Sequence, residues 1–398
     1  MATVRPFRAL RPHPDSSQEV ASVPYDVIDS AEARDLTEGK PNSFLHIIRP
    51  EVDLPDGTDE HADEVYTRGA ENLARFAESA MFLEEDEPAL YVYRLVMNGR
   101  AQTGIFGLVS VAEYDTDVIL KHEKTRPDKE DDRTRHILTQ RAHAEPVMLT
   151  YRGTDDIDDA VEATLKSPPL YDFKASDFVQ HSIWKMANSD AASQAFGEVD
   201  VLYVADGHHR CAAASRVAKE LPAVEGAQNF MAVLFPMEDM EILPYNRAIV
   251  KLPVGKQKFL DQLSHRFEVE ETYFAEPEEP GTVGLYLGDT WYRLRLPETA
   301  RDGVAATLDV ARLGEFILEP MLGITDPRTD QNINFIGGIR GASELERLVD
   351  SGDADMAISM YPTSPDELLD VSDAGELMPP KSTWFEPKLR SGLLVHRF

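Results

Sequence analysis

The chain has 398 residues, 42% of them apolar, with 40 Lys and Arg against 71 Asp and Glu. The formal charge of −31 opposes non-specific binding to nucleic acid and to anionic membrane surfaces. A length above the ~250–300 residues at which one core stops growing calls for more than one packed unit. Cys211 is the only cysteine, so no internal disulfide can form and a reducing compartment fits. The charged, proline-bearing start has no secretory pattern, and no apolar run reaches the ~18 residues that span a bilayer. The expected location is therefore cytoplasmic, with no membrane partner.

In "SVPYDVIDS", Pro24 keeps Val23 extended, and Asp29 or Ser30 is placed to cap a helix starting at "AEARDL". "NSFLHIIRP" predicts a short apolar strand, with Asn42, Ser43 and His46 as its polar candidates. Residues 62–80 carry Val65, Leu73, Phe76 and Ala80 at helical spacing. Residues 89–111 predict a β-hairpin, two β-rich runs around Asn98–Gly99, the favoured two-residue turn. An apolar strand at 201–205, a helix at 211–221 and a strand at 230–236 predict an α/β unit. The acidic, proline-rich "AEPEEPG" at 275–281 is the best linker. It separates an expected main α/β domain, 1–274, from a C-terminal α/β subdomain, 275–398, whose tail packs back on the site. That second part predicts a hairpin over 283–296, a helix over 310–322 and a strand over 357–362. The fold class is α/β, in the mixed α+β sense.

The densest chemistry is "ADGHHR", where the strand at 201–205 meets the helix. A strand's carboxyl end followed by a helix N-terminus is a natural phosphate site, through backbone N–H groups and the helix dipole. Gly207 permits the tight turn and close approach of a ligand. His208 and His209 can bind phosphate oxygens or transfer protons, His208 being a catalytic candidate, and Arg210 offers a two-pronged grip on an anion. Asp206 is out of place in a plain anion site. It makes sense if it carries Mg²⁺ or accepts a proton from a hydroxyl nucleophile, so the set fits phosphoryl transfer. The bland alternative is a capped helix with solvated histidines. Two adjacent histidines point in different directions and the spacings of common zinc motifs are absent, which argues against a metal cluster built on both. Cys211, beside the turn, reads as a small semi-buried helix residue rather than a nucleophile.

Two basic islands stand out in this acidic chain. "KHEKTRPDKEDDRTRHILTQR", 121–141, has seven Lys and Arg against five Asp and Glu. Within it Lys121, His122, Lys124 and Thr125 are candidate phosphate ligands, while Glu123 is a candidate base or second Mg²⁺ ligand; most of 129–135 reads as a solvated helix face. "PPKSTWFEPKLRSGLL", 379–394, adds Lys381, Lys388 and Arg390, with Trp384 and Phe385 able to stack on a base or to pack as a tail. Its Lys-Ser-Thr lacks the glycine-rich run of a P-loop.

The "DGHHR" turn after an apolar strand resembles the signature turn of the ParB/sulfiredoxin-like superfamily, particularly its archaeal ADP-dependent free serine kinases. "RPFRAL", "PYDV", "HEKT", "ADGHHR", "LPYNR" and "PPKSTWFEPKLRSGLL", spread from end to end, are similar to the prokaryotic domain-of-unknown-function family 1015. The resemblance implies a ParB/sulfiredoxin-like phosphate-binding unit within a larger chain of several subdomains. It implies that the DGHHR loop binds nucleotide phosphates and that an upstream glutamate is the base, with Glu123 and Glu51 both open for that role. It also gives weight to Asn246 and Arg247 in "LPYNR" as phosphate or nucleotide ligands, a stretch that alone would read as a plain loop. The implied activity is a phosphotransferase for a small hydroxylated metabolite, free serine and O-phosphoserine being the favoured pair. ATP or ADP would be the co-substrate and Mg²⁺ the metal. A phosphoserine phosphatase is the alternative among enzymes, and a nucleotide-binding sensor or ParB-like nucleic-acid-binding protein the alternative outside them.

Overall fold

The sequence 89–111 forms the expected hairpin, Tyr91–Met97 against Arg100–Ser110. Both turn residues are left-handed, Asn98 at φ 53° and Gly99 at φ 82°, the backbone that matches strand twist in a two-residue turn. The computed structural model describes residues 1–398. They divide into two units, the first made of Met1–Lys121, Thr125–Met240 and Pro387–Phe398, the second of His122–Lys124 and Glu241–Glu386.

The first unit is built on nine strands. In chain order they are β1 (Val4–Arg5), β2 (Tyr91–Met97), β3 (Arg100–Ser110), β4 (Ile119–Leu120), β5 (Val147–Tyr151), β6 (Tyr171–Lys174), β7 (Gln180–Lys185), β8 (Leu202–Asp206) and β9 (Asn229–Pro236). Their order across the sheet is β4-β8-β5-β9-β3-β2-β7-β6, with β1 also along β3. The pairs β4/β8 and β5/β9 are parallel, and the rest are antiparallel. One face buries Leu90, Val92, Ile105, Leu149, Leu202, Val204 and Leu234. Three helices matter for the site: α1 (Asp63–Glu78), α2 (Pro127–Gln140) and α3 (His208–Glu220). Helix α3 lays Cys211, Ala214 and Ala218 on the sheet, one stripe at helical spacing whose small side chains let the backbones approach. Ala213 and Val217, on its flank, meet Ile137 of α2.

The second unit carries a six-stranded sheet of β10 (Tyr245–Ile249), β11 (Val269–Thr272), β12 (Thr282–Leu287), β13 (Thr290–Arg295), β14 (Ile333–Gly337) and β15 (Met356–Met360). Its order is β11-β13-β12-β15-β10-β14, every pair antiparallel. The second predicted hairpin is β12–β13, and the late predicted strand is β15. The helix expected over 310–322 is a continuous helical run, Asp309–Leu313, Gly314–Leu318 and Glu319–Leu322, whose middle segment is a π turn. Pro320 follows that turn; a proline removes one backbone donor, and a widened turn is a common accommodation.

Two expectations differ from the structure. The run at 44–48 is a short helix, Leu45–Ile48, whose Leu45, Ile47 and Ile48 pack with Leu73 and Phe76 of α1; so brief an apolar run has no period that distinguishes helix from strand. The units divide at Met240–Glu241 rather than at 274–275. The reason is long-range pairing: β10 hydrogen-bonds to both β14 and β15, so the chain enters the second unit well before the acidic stretch at 275–281, which merely joins β11 to β12. No helix is long and apolar enough to cross a membrane.

Candidate functional site

Strand β8 reaches the turn through a bulge. Val204 pairs with Leu149 and Asp206 with Met148, the register shifting between them. Leu202 and Val204 face the core, and strict alternation would send Asp206 after them. The extra residue takes it off that row. Gly207 then adopts φ 103°, ψ 30° and begins α3, which has no side-chain cap at its N-terminus. The positive φ favours glycine here, and a Cβ at 207 would also press on Arg210, standing 3.0 Å from its Nε. The helix therefore presents an uncapped amino end beside a partly exposed carboxylate.

Arg210 works from beneath the turn. It is 7% exposed. Its Nη1 donates to the Pro146 carbonyl, and its Nη2 donates to Asp206 Oδ2 at 3.1 Å and lies 3.7 Å from Asp26 Oδ2. Burial pulls the guanidinium's pKa down, but Asp26, Asp206 and Glu145 outweigh it, and the net shift is upward. Lys388 Nζ stands 3.5 Å from Asp206 Oδ1. Behind Arg210 the charges continue to alternate. Glu145 accepts from the Tyr25 backbone N–H at 3.2 Å and from Arg133 Nη1 at 3.4 Å. Arg133 covers the Tyr25 ring at 3.8 Å and donates from Nη2 to Asp132 Oδ2 at 2.6 Å. Burial pushes the Glu145 carboxyl up despite Arg133 and Arg210.

His209 Nε2 accepts the Arg126 backbone N–H at 3.1 Å, which leaves Nδ1 to carry the proton of the neutral ring. His208 is buried, so it faces the interior rather than presenting a ring to solvent. Cys211 is fully buried, and that burial pushes its thiol up to about 12; a nucleophilic role is out of reach at neutral pH.

The basic island is divided. Arg126 reaches the turn through its backbone. Thr125 Oγ1 donates to Glu130. Lys121 pairs with Asp117 at 2.8 Å and lies over the Tyr114 ring at 4.4 Å. His122, Glu123 and Lys124 group with the second unit, where the His122 carbonyl accepts from Met378 N at 2.7 Å. Asn246 and Arg247 are also in the second unit, on β10; Asn246 Oδ1 accepts from Met360 N at 2.9 Å. Of the weaker candidates, Glu51 is buried with Arg49 at 2.9 Å and Ser30 at 3.1 Å. Asn42 binds Glu19 at 2.7 Å, His46 binds Asp53 at 2.7 Å, and Ser43 is buried. Trp384 and Phe385 lie on a short strand paired with Glu241–Leu243, and Arg390 pairs with Asp177.

The Mg²⁺ expectation does not fit these residues. Both oxygens of Asp206 are turned to cations, Oδ2 to Arg210 and Oδ1 to Lys388. No cluster of three or more His, Cys, Asp or Glu is arranged to hold a metal ion. What sequence reading missed at the turn is Asp26, Glu145 and Arg133. "PYDV" was among the family-like stretches, so Asp26 had a signal; Glu145 and Arg133 had none, because their partners are distant in sequence.

Residues 4–311 match the model of a family described as Protein of unknown function (DUF1015). The chain belongs to that family. No curated protein matches it. Among solved structures it is similar to a free serine kinase in complex with AMP, at 13% identity and TM-score 0.39, covering 72% of this chain and 92% of that one. It is similar also to a conserved hypothetical protein from Pyrococcus furiosus, at 14% identity and TM-score 0.36, covering 72% and 95%. A third is SbnI with C-terminal truncation from Staphylococcus aureus, at 16% identity and TM-score 0.37, covering 73% and 87%. Likeness at these scores assigns neither ligand nor reaction to this family member.

Proposed function

We propose that the chain is a phosphotransferase acting on a small hydroxylated metabolite, with free L-serine and O-phosphoserine as the favoured pair and ATP or ADP as the nucleotide. The observation that carries the reading is the turn itself: an uncapped helix amino end after Gly207 at φ 103°, with the Asp206 carboxylate beside it and partly exposed. An uncapped helix end favours phosphate oxygens. The carboxylate serves a different purpose, accepting the proton of the attacking hydroxyl on Oδ1 as Lys388, 3.5 Å away, turns to the phosphate oxygens. In the transfer the substrate O–H bond breaks, an O–P bond forms, and the bond from phosphorus to the nucleotide's leaving oxygen breaks. Asp26 takes the place of Glu123 as the second carboxylate, since it shares Arg210 with Asp206. His209, Lys388 and the first backbone N–H groups of α3 balance phosphate charge in the transition state.

The test is ³¹P NMR of the full chain with O-phosphoserine and AMP or ADP, and with serine and ADP or ATP. Asp206→Asn should lower kcat at least ~10²-fold, the lower range for a positioned proton acceptor, with far less effect on nucleotide affinity. If the unmodified chain binds nucleotide but moves no phosphoryl group to or from serine or another small alcohol, the sensor reading replaces this one. Release of inorganic phosphate without nucleotide would favour the phosphatase.

A further inference from the structure

Arg247, in the second unit, is as deeply buried as any charged group in the chain, at 3% exposure. Its Nη1 donates to the Tyr245 carbonyl and its Nη2 to the Lys381 carbonyl at 3.1 Å. No carboxylate pairs with it, and Nε has no hydrogen-bond acceptor. Burial brings its pKa down to about 10, the mark of a cation without a counter-charge. A guanidinium has five N–H donors, and two backbone carbonyls satisfy only part of that capacity while neutralising none of the charge. Removing an arginine from water without an anion costs several kcal/mol, so a sequence that keeps one there needs a reason other than stability.

The surroundings suggest that reason. The guanidinium lies 5.4 Å from the Phe335 ring centroid. Tyr245 meets Phe335 and Trp384 edge to face at 6.0 and 5.1 Å. Lys381, which holds φ 58°, brings a second cation to the same wall, its Nζ 5.2 Å from the Tyr245 ring. The acid at this wall, Glu386, accepts from the Trp384 indole N–H at 2.8 Å and is not paired to Arg247, so two cations and three aromatic rings remain complementary to an oxyanion carried on a small organic molecule.

We propose that Arg247 anchors an oxyanion site in the second unit, taking a phosphate or carboxylate group on Nε and the neighbouring Nη edge. The ligand's remaining part packs on the Tyr245–Trp384 wall. The site stands independently of the phosphotransfer reading, since no residue of the 206–210 turn takes part.

The experiment labels the full chain with ¹⁵N-arginine and follows the Nε–H resonances during titration with inorganic phosphate and, separately, acetate. The Arg247 resonance is identified by its loss in Arg247→Lys, with Arg247→Met as a second assignment if the first fails to fold. A saturable shift of that resonance with phosphate alone assigns a phosphate site, and a shift with both anions a general oxyanion site. Phosphate should also raise the Tm of the unmodified chain by more than it raises that of Arg247→Lys. A resonance that neither anion moves, together with equal phosphate-induced Tm shifts in the two proteins, would show that Arg247 is only a clamp on two carbonyls and overturn the proposal. Because Asp206→Asn leaves this resonance in place, failure here and failure of the transfer assay are separable.

Discussion

Arg210 and Arg247 are the same residue at nearly the same burial, 7% and 3% exposed, yet their settings are electrostatic opposites. Arg210 sits among Asp26, Asp206 and Glu145, and these hold its pKa above the ordinary arginine value despite burial. Arg247 has two carbonyls and an aromatic ring, and burial takes its pKa down to about 10. The first arginine is therefore already used: it positions a carboxylate. The second has charge to spare. Burial of an arginine thus says little about anion binding until the acids around it are known.

The largest expected effect tests that contrast directly. Arg210→Met strands three carboxylates around a buried position. Removing one partner of a buried ionic set costs ~3–5 kcal/mol, or roughly 6–20 °C in the Tm of the first unit. Arg247→Met removes an uncompensated charge while leaving the carbonyls of Tyr245 and Lys381 without that donor. These effects oppose each other, so its Tm should stay within a few degrees of the parent. Differential scanning calorimetry of both variants decides; equal losses would erase the distinction.

Next comes Gly207→Ala, which meets both a φ of 103° and Arg210 Nε at 3.0 Å from the new Cβ. A loss of ~1–3 kcal/mol is expected from the backbone alone, read as a shift in urea midpoint, and nucleotide binding should weaken with it.

Acid sensitivity should be concentrated in the first unit. Burial is the leading cause in each case: His136 is depressed by burial and Arg133, His143 to about 3 by burial and His396, His181 to about 3 by burial and Arg390, and His396 by burial. All four lie in that unit. Their folded pKa values are below the unfolded value of ~6.5, so as pH falls below ~6.5 the unfolded chain takes up protons that the folded chain refuses. Each histidine then removes ~1.4 kcal/mol per pH unit until its folded pKa is reached, while above ~6.5 it contributes no pH dependence. Hydrogen exchange at pH 5 against pH 7 should show β5, β7 and β9 losing protection first, and His143→Gln should reduce the slope by about one proton. Loss of protection starting in β10–β15 would contradict this.

The smallest effect concerns Cys211. With its thiol pushed up to about 12, alkylation by iodoacetamide at pH 8 should be negligible in the folded chain and normal after urea, read by mass spectrometry.

How much of this was legible in the sequence varies with range. The Asn98–Gly99 hairpin and the strand–Gly207–helix unit were readable, since local period and turn chemistry determine them. The 44–48 helix was not, because its apolar run is too brief to show a period. Arg210 was read as a phosphate grip although Asp206, which it hydrogen-bonds, stands four residues before it; the other acids around it come from residue 26 and from beside β5. The island at 121–141 looked like one cluster, yet His122–Lys124 groups with the second unit and Thr125 onward with the first. Charge patterns along a chain report composition, whereas pairing depends on contacts that only the folded topology makes.

The central claim, that the amino end of α3 holds a nucleotide phosphate, is tested most directly by a ¹H–¹⁵N titration of the full chain with ADP, following the backbone N–H groups of His208, His209 and Arg210. The account predicts saturable shifts in these three amides, larger than for any residue of β11–β13, and weakened in Gly207→Ala. If ADP binds while these amides stay in place, or fails to bind at all, the phosphate site is not at this turn.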